Sequence, residues 1–195
     1  MIGPDPAAVA SFLQQIGHGI HLCSIKPNEN WCLGRWFGED VSAATAWAVT
    51  ENDQGKGLYW TVNLVDEGLN KKARKDDIVA ARFVHVDIDP PKGGGVFDKV
   101  MTQAKLLAHA VPPTIIIDSG GGLQAFWRLA GSASQADVEA INRNVAAKWG
   151  GDNCQSIDHL MRLPGTVNYP NAKKRAAGRS TSLAKVIHDA DRILH

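Results

Sequence analysis

The run Phe83-Val84-His85-Val86-Asp87-Ile88-Asp89-Pro90-Pro91 alternates apolar and polar side chains, a period that only an extended strand satisfies. Val84, Val86 and Ile88 take one face. His85, Asp87 and Asp89 take the other, and the proline pair ends the strand. Two carboxylates so placed stand about 7 Å apart. The apolar flanks predict a central strand, where a bare carboxylate pair is costly. Like charges this close resist joint ionisation unless a cation sits between them. Hard oxygen donors suit Mg²⁺ or Mn²⁺. The plain alternative is a solvated strand edge. His85 is either a contact to a nucleotide or to the metal's surroundings, or an ordinary half-buried histidine.

At 195 residues and 44% apolar content the chain can build one real core. We expect a single domain over 1–195, with an N-terminal α/β flank (1–80) against a core (81–195). The net charge of +1 provides no global field for nucleic acid, so any such affinity must come from a local patch. Cys23, Cys32 and Cys154 form no CxxC pair, which argues against a disulfide framework or a structural zinc site. They read as reduced thiols of a cytoplasmic protein. No apolar run is long enough for a membrane span, and no signal peptide is evident.

Punctuation residues divide the rest. Asp5-Pro6 starts a helix whose apolar face is Val9, Phe12, Leu13 and Ile16, with Gly17 closing it. Strands are expected at 20–25, 31–37 and 58–65, and a helix from Ser42 to about Asn52. Residues 66–78 are a polar surface segment. After the strand at 82–89, a helix lined by Phe97, Val100, Met101, Ala104 and Leu107 runs to Pro112-Pro113. Ile115-Ile116-Ile117 and 123–129 form a hairpin around Ser119-Gly120-Gly121-Gly122. Ser134 with Asp137 starts the next helix, whose buried stripe is Val138, Ile141, Val145 and Trp149. A strand at 181–187 and a short terminal helix follow. The order strand, helix, strand, strand, helix, strand is an α/β (α+β) class, the split βαβ of RNA-recognition-like sheets. It sets the hairpin beside strand 82–89 and leaves one sheet face free of helices.

Two further segments carry chemistry. The glycines at 120–122 can expose amides to phosphate oxygens, although a plain glycine hairpin has the same sequence. Ser156 to Asn168 holds Asp158, a third carboxylate, and Arg162, suited to a phosphate or to pairing with Asp158. Lys173, Lys174, Arg175 and Arg179 then form a basic run that matches a phosphate backbone or a triphosphate.

Together, Val86-Asp87-Ile88-Asp89, the stretch 119–127, and Asp158 with Arg162-Leu163-Pro164-Gly165-Thr166-Val167-Asn168 resemble the archaeo-eukaryotic primase superfamily, most closely its RepB-like plasmid and phage branch. The resemblance covers roughly 58–187. One departure is Gln124, where many members of that family carry a histidine; glutamine still donates a hydrogen bond but carries no proton charge.

The resemblance implies DNA primase and polymerase activity: template-directed nucleotidyl transfer on single-stranded DNA, with NTPs or dNTPs as substrates. Asp87, Asp89 and Asp158 would hold two ions, Mg²⁺ or Mn²⁺. His85, Ser119, Gly121, Gly122, Gln124, Arg162 and Lys173 would bind the nucleotide. Lys71, Lys72, Arg74, Lys174, Arg175 and Arg179 would contact the template. Trp31, Trp36 and Trp60 are candidate base-stacking platforms, with core packing the commoner role. A replicative helicase, as partner or fused domain, is the implied companion. The competing readings are a DxD glycosyltransferase and a nucleic-acid-binding module that kept the fold and lost the activity.

Overall fold

The structure, a computed structural model, describes residues 2–29, 31–91, 97–131, 133–190 and 193–194. Helix α1 (Pro6–Ile16) begins as expected, with the Asp5 carboxylate accepting the Ala8 amide at 3.0 Å. Val9, Phe12, Leu13 and Ile16 are all buried. Strands β1 (Ile20–Ile25) and β2 (Cys32–Gly38) pair antiparallel. Helix α2 (Val41–Asp53) is capped by Asp40, which accepts the Ala43 amide at 2.8 Å, so Ser42 is not its start.

The strand expected at 58–65 is two, β3 (Gly57–Thr61) and β4 (Leu64–Val65). Buried Asn63 makes the break. Its Oδ1 accepts the Arg82 and Phe83 amides, and its Nδ2 donates to the Ile157 carbonyl. The polar segment that follows contains a 3-10 turn (Lys75–Asp77) and β5 (Ile78–Ala80), which pairs with β4.

The second half runs β6 (Phe83–Ile88), α3 (Lys99–Leu107), β7 (Ile115–Asp118), β8 (Leu123–Arg128), α4 (Gln135–Trp149), β9 (Leu160–Arg162), β10 (Val167–Asn168), α5 (Ala172–Ala176), β11 (Ser182–Leu183) and β12 (Lys185–Asp189). Two four-stranded sheets result, β2-β1-β3-β9 and β12-β7-β8-β6. The α+β class and the hairpin beside β6 are as expected.

The last strand joins at β7, which makes β6 an edge strand and not the central strand that its flanks predict. Its outer rim is nevertheless closed. Asn142 Oδ1 of α4 accepts the His85 amide at 2.8 Å, and the Asp152 amide donates to the Asp87 carbonyl at 2.8 Å. Side chain and loop thereby satisfy backbone groups that a neighbouring strand would otherwise take.

One face of this sheet (Val84, Val86, Ile88, Ile116, Leu123, Ala125, Trp127) packs with Leu106 of α3 and with Val145, Ala146 and Trp149 of α4. The other face adds Phe83, Ile115, Ile117 and Phe126 to the core of α1, α2 and the first sheet. Trp60 joins the two halves, its ring centroid 5.1 Å from Phe12, 5.8 Å from Phe83 and 5.3 Å from Phe126. The face without helices of its own is thus covered by the N-terminal flank; Asp87 and Gln124 lie at one end of it and Arg128, over the Phe83 ring, at the other.

Two helical stripes differ from expectation. In α3, Leu106 is buried while Val100 and Met101 are 77% and 53% exposed. In α4, Val138 is buried but Ile141 is exposed, and buried Asn142 takes the inner position. The Ser134 cap and the left-handed Gly150 terminus are as expected. In place of a terminal helix, Leu194 bridges to Leu129; residues 191, 192 and 195 lie outside the described residues. Among the described residues no helix is long and apolar enough to cross a membrane.

Candidate active site

Asp87 and Asp89 project from one face at the end of β6, opposite β8, with Asp87 directly across from Gln124. Asp87 is half-buried, and its Oδ1 has no hydrogen-bond partner among the described residues. Burial, then the charges of Asp89 and Asp152, push its carboxyl up to about 7, against a hydrogen bond from Gln124 and the charge of Lys174. Gln124 faces both ways: its Oε1 accepts the Arg162 amide at 3.0 Å while its own amide group serves Asp87.

The donor set fits a hard divalent cation. Two carboxylates with one orphaned buried oxygen suffice for Mg²⁺, which keeps several waters and takes further ligands from substrate phosphates. The expected third carboxylate does not join them. Asp158 is engaged by the Ser156 hydroxyl and acts electrostatically on His159, and among the described residues no group of three or more His, Cys, Asp or Glu is arranged to hold a metal. The third acid that bears on Asp87 is Asp152, which the motifs did not single out. It follows the helix-ending glycines of α4, where no periodicity marks it.

His85 is not presented to a ligand, contrary to the expected nucleotide contact. It is 1% exposed, donates from Nε2 to the Cys154 carbonyl at 2.9 Å, and stacks on His159 with ring centroids 5.7 Å apart. Burial and the neighbouring His159 lower its pKa to about 3, so the ring is neutral.

The glycine turn is also more closed than a phosphate cradle requires. The Gly122 amide donates to Ser119 Oγ at 3.1 Å and the Gly120 amide to Asp118 Oδ1 at 2.8 Å. Those two N–H groups are therefore already occupied. The glycines serve close packing instead. A Cβ on Gly120, at φ +87°, would overlap Ser182 Oγ, one on Gly121 would overlap Arg179 Nη1, and one on Gly122 would lie 2.7 Å from Asp89 Oδ1.

Arg162 lies beside this cluster, 7% exposed, with Nη2 donating to the Tyr59 hydroxyl at 2.6 Å and to Asn168 Oδ1 at 3.0 Å. Among the described residues no carboxylate pairs with it, and Nη1 has no partner. The alternative of an Arg162–Asp158 pair is therefore not realised. Asn168 Nδ2 in turn ties the segment to the Ser119 carbonyl at 2.7 Å.

The basic residues fall into three groups. Lys174 and Arg179 line a cavity of about 240 Å³ with Gly120, Gly121, Asn168 and Pro170. Arg179 also pairs with Asp89 at 3.3 Å. Lys173 and Arg175 lie exposed on α5, Arg175 donating to the Pro170 carbonyl. Lys71, Lys72 and Arg74 belong to the flank, where Lys71 pairs with Asp77 at 2.8 Å. Of the tryptophans, Trp60 is core, Trp36 is partly buried, and Trp31 is 39% exposed with Lys56 over its ring.

Residues 97–191 match the RepB DNA-primase N-terminal domain family. Three solved structures superpose on nearly the whole chain. Primase RepB′ aligns with a TM-score of 0.68 at 14% identity, over 96% of this chain and 57% of that one. The AEP domain of the cyanophage S-2L primase-polymerase aligns at 0.70 and 14% identity, over 99% and 95%. The catalytic domain of primase RepB′ in complex with initiator DNA aligns at 0.70 and 16% identity, over 96% and 86%.

The chain has the fold of the RepB-like primases. The resemblance drawn from its three motifs is thereby borne out. The chain spans just over half the length of the first RepB′ structure. A comparison with curated proteins gives no match.

Proposed function

We propose that this protein is a DNA primase or primase-polymerase that joins nucleotides on a single-stranded DNA template. The observation that carries the reading is the half-buried Asp87–Asp89 pair, with Asp87 Oδ1 orphaned, set beside a cavity lined by Lys174 and Arg179. Asp87 and Asp89 would hold Mg²⁺ or Mn²⁺, which when bound lowers the pKa of an attacking hydroxyl and offsets charge at the phosphate. Asp158 is the remaining candidate for a second ion, and it would have to leave Ser156 to serve.

The other residues bind and orient. Arg162, its plane fixed by Tyr59 and its buried Nη1 without a partner, would turn toward a phosphate oxygen when substrate binds. Lys174 and Arg179 neutralise phosphates in the cavity. Lys173, Arg175 and the flank cations Lys71, Lys72 and Arg74 would make the looser contacts of a template backbone. NTPs or dNTPs are the substrates, and a replicative helicase is the expected companion.

The test is incorporation of labelled NTPs or dNTPs on single-stranded DNA with Mg²⁺ or Mn²⁺. Asp87→Ala and Asp89→Ala should abolish it with the fold intact. Normal rates in both variants would end the reading. A second reading, a DNA-binding module without catalysis, is favoured by one observation: Asp158 is turned to Ser156. It predicts salt-sensitive DNA binding and no metal-dependent product. Nothing at the site favours the glycosyltransferase alternative.

A further inference from the structure

Arg179 is among the residues expected to touch template, yet its guanidinium is turned inward. Nη2 lies 3.3 Å from Asp89 Oδ2, with the two side chains 25% and 23% exposed. Its other terminal nitrogen rests flush on Gly121, where even a methyl group would overlap it. The Arg179 amide donates to the Lys174 carbonyl at 3.0 Å, so the loop that carries Arg179 is closed back onto α5. Among the described residues no other lysine or arginine pairs with Asp87 or Asp89.

The contact is single and long. A bidentate arginine–carboxylate pair is shorter and stronger, and a single, partly exposed contact is more readily exchanged. It adjoins a cavity with Lys174 on its wall and room for an anionic group. Arg179 is thus poised between two partners: a carboxylate that a cation would claim, and a pocket that a phosphate would fill.

We infer that Arg179 is a cation surrogate on Asp89: it neutralises the carboxylate pair until a divalent ion replaces it, and its released guanidinium then binds phosphate in the adjoining cavity. This rests on the proposed role of Asp87 and Asp89 as the cation site. It makes cation and phosphate binding mutually supportive, because each ligand removes what opposes the other, and linkage requires the effect to be reciprocal.

The test is Mn²⁺ binding by titration calorimetry near neutral pH, without nucleotide or DNA. The proteins are the wild type, Arg179→Gln, Arg179→Lys and Asp89→Asn. Arg179→Gln should bind Mn²⁺ about two- to five-fold more tightly than the wild type, the range expected for losing one partly exposed ion pair. Arg179→Lys should stay near the wild type. Inorganic sulfate should tighten Mn²⁺ binding to the wild type and leave Arg179→Gln unaffected.

Equal or weaker binding by Arg179→Gln overturns the surrogate role while leaving the cation site standing, provided Asp89→Asn loses Mn²⁺. A sulfate effect that persists in Arg179→Gln overturns the phosphate half. Absence of Mn²⁺ binding in every protein overturns both the inference and the reading beneath it.

Discussion

The Arg162 guanidinium lies 4.1 Å from the centroid of the Tyr59 ring and donates to the Tyr59 hydroxyl at 2.6 Å. The two residues are direct cross-strand partners of β3 and β9, so the contact is fixed by register. A cation held by an aromatic face and neutral acceptors keeps its full charge for an incoming anion, because no acid has neutralised it.

That arrangement separates two effects. Arg162→Ala removes a cation–π contact and two hydrogen bonds, and should lower unfolding free energy by about 1–3 kcal/mol in urea. A triphosphate should raise the melting temperature of the wild type but not of this variant. A loss well under 1 kcal/mol would mean that the orphaned Nη1 already offsets those contacts.

The buried titrating groups predict an unusual acid response. His21 and His85, lowered to about 4 and about 3 chiefly by burial, bind protons in the unfolded chain but not in the folded one between about 4 and 6.5. They make stability rise with pH in that window. Asp87, raised to about 7, acts oppositely there, since it is protonated when folded and ionised when unfolded. Asp87→Asn should therefore steepen the gain in stability from pH 5 to 6.5 by about one proton's worth, about 1.4 kcal/mol per pH unit. Denaturant titrations at several pH values check this; an unchanged slope would place the Asp87 pKa in the ordinary range.

Gly122 abuts the Ile88 carbonyl and Asp89. Gly122→Ala should displace the Asp89 carboxylate and cost about 1–3 kcal/mol of stability, as overpacking does. Mn²⁺ binding should fall in step. Gly131→Ala, where nothing lies within 4 Å, is the matched control and should behave as the wild type.

The exposed cations of α5 should show in the salt dependence of DNA binding. Replacing Lys173, Lys174 and Arg175 together by alanine should reduce the slope of log affinity against log salt by about 2, at about 0.7 per single-strand phosphate contact. Fluorescence anisotropy with a labelled oligonucleotide measures it, and an unchanged slope would remove α5 from the DNA path.

Where a feature depends on neighbours in sequence, the chain can be read directly. The period of β6, the Asp5 and Ser134 caps and the glycine hairpin follow from local patterns, and the place of the hairpin beside β6 from the order of the elements. Features set by distant partners were not legible. Leu106, not Val100 or Met101, points inward because of how α3 meets the sheet. β6 lies at an edge because the chain leaves α4 to build β9 on the other sheet before returning. Asp158 is in the expected motif but has the Ser156 hydroxyl as its partner, and Asp152, held beside β6 by its backbone bond to the Asp87 carbonyl, acts on Asp87 through its charge, which no motif announces. The glycines at 120–122 suggest open amides, whereas a carboxylate and a hydroxyl in the same turn occupy two of them.

The closure of the β6 rim has a mechanical corollary. Asn142 and Asp152 hold this strand at two successive points, from a helix and the bend just after it. The other edge of β6 is laddered to β8 over six residues, so the strand is a seam that ties the sheet on one side to α4 and its bend on the other. Loss of these outer stitches would leave the acidic end of β6 supported from one side alone, so the carboxylate geometry depends on α4 as well as on the hairpin.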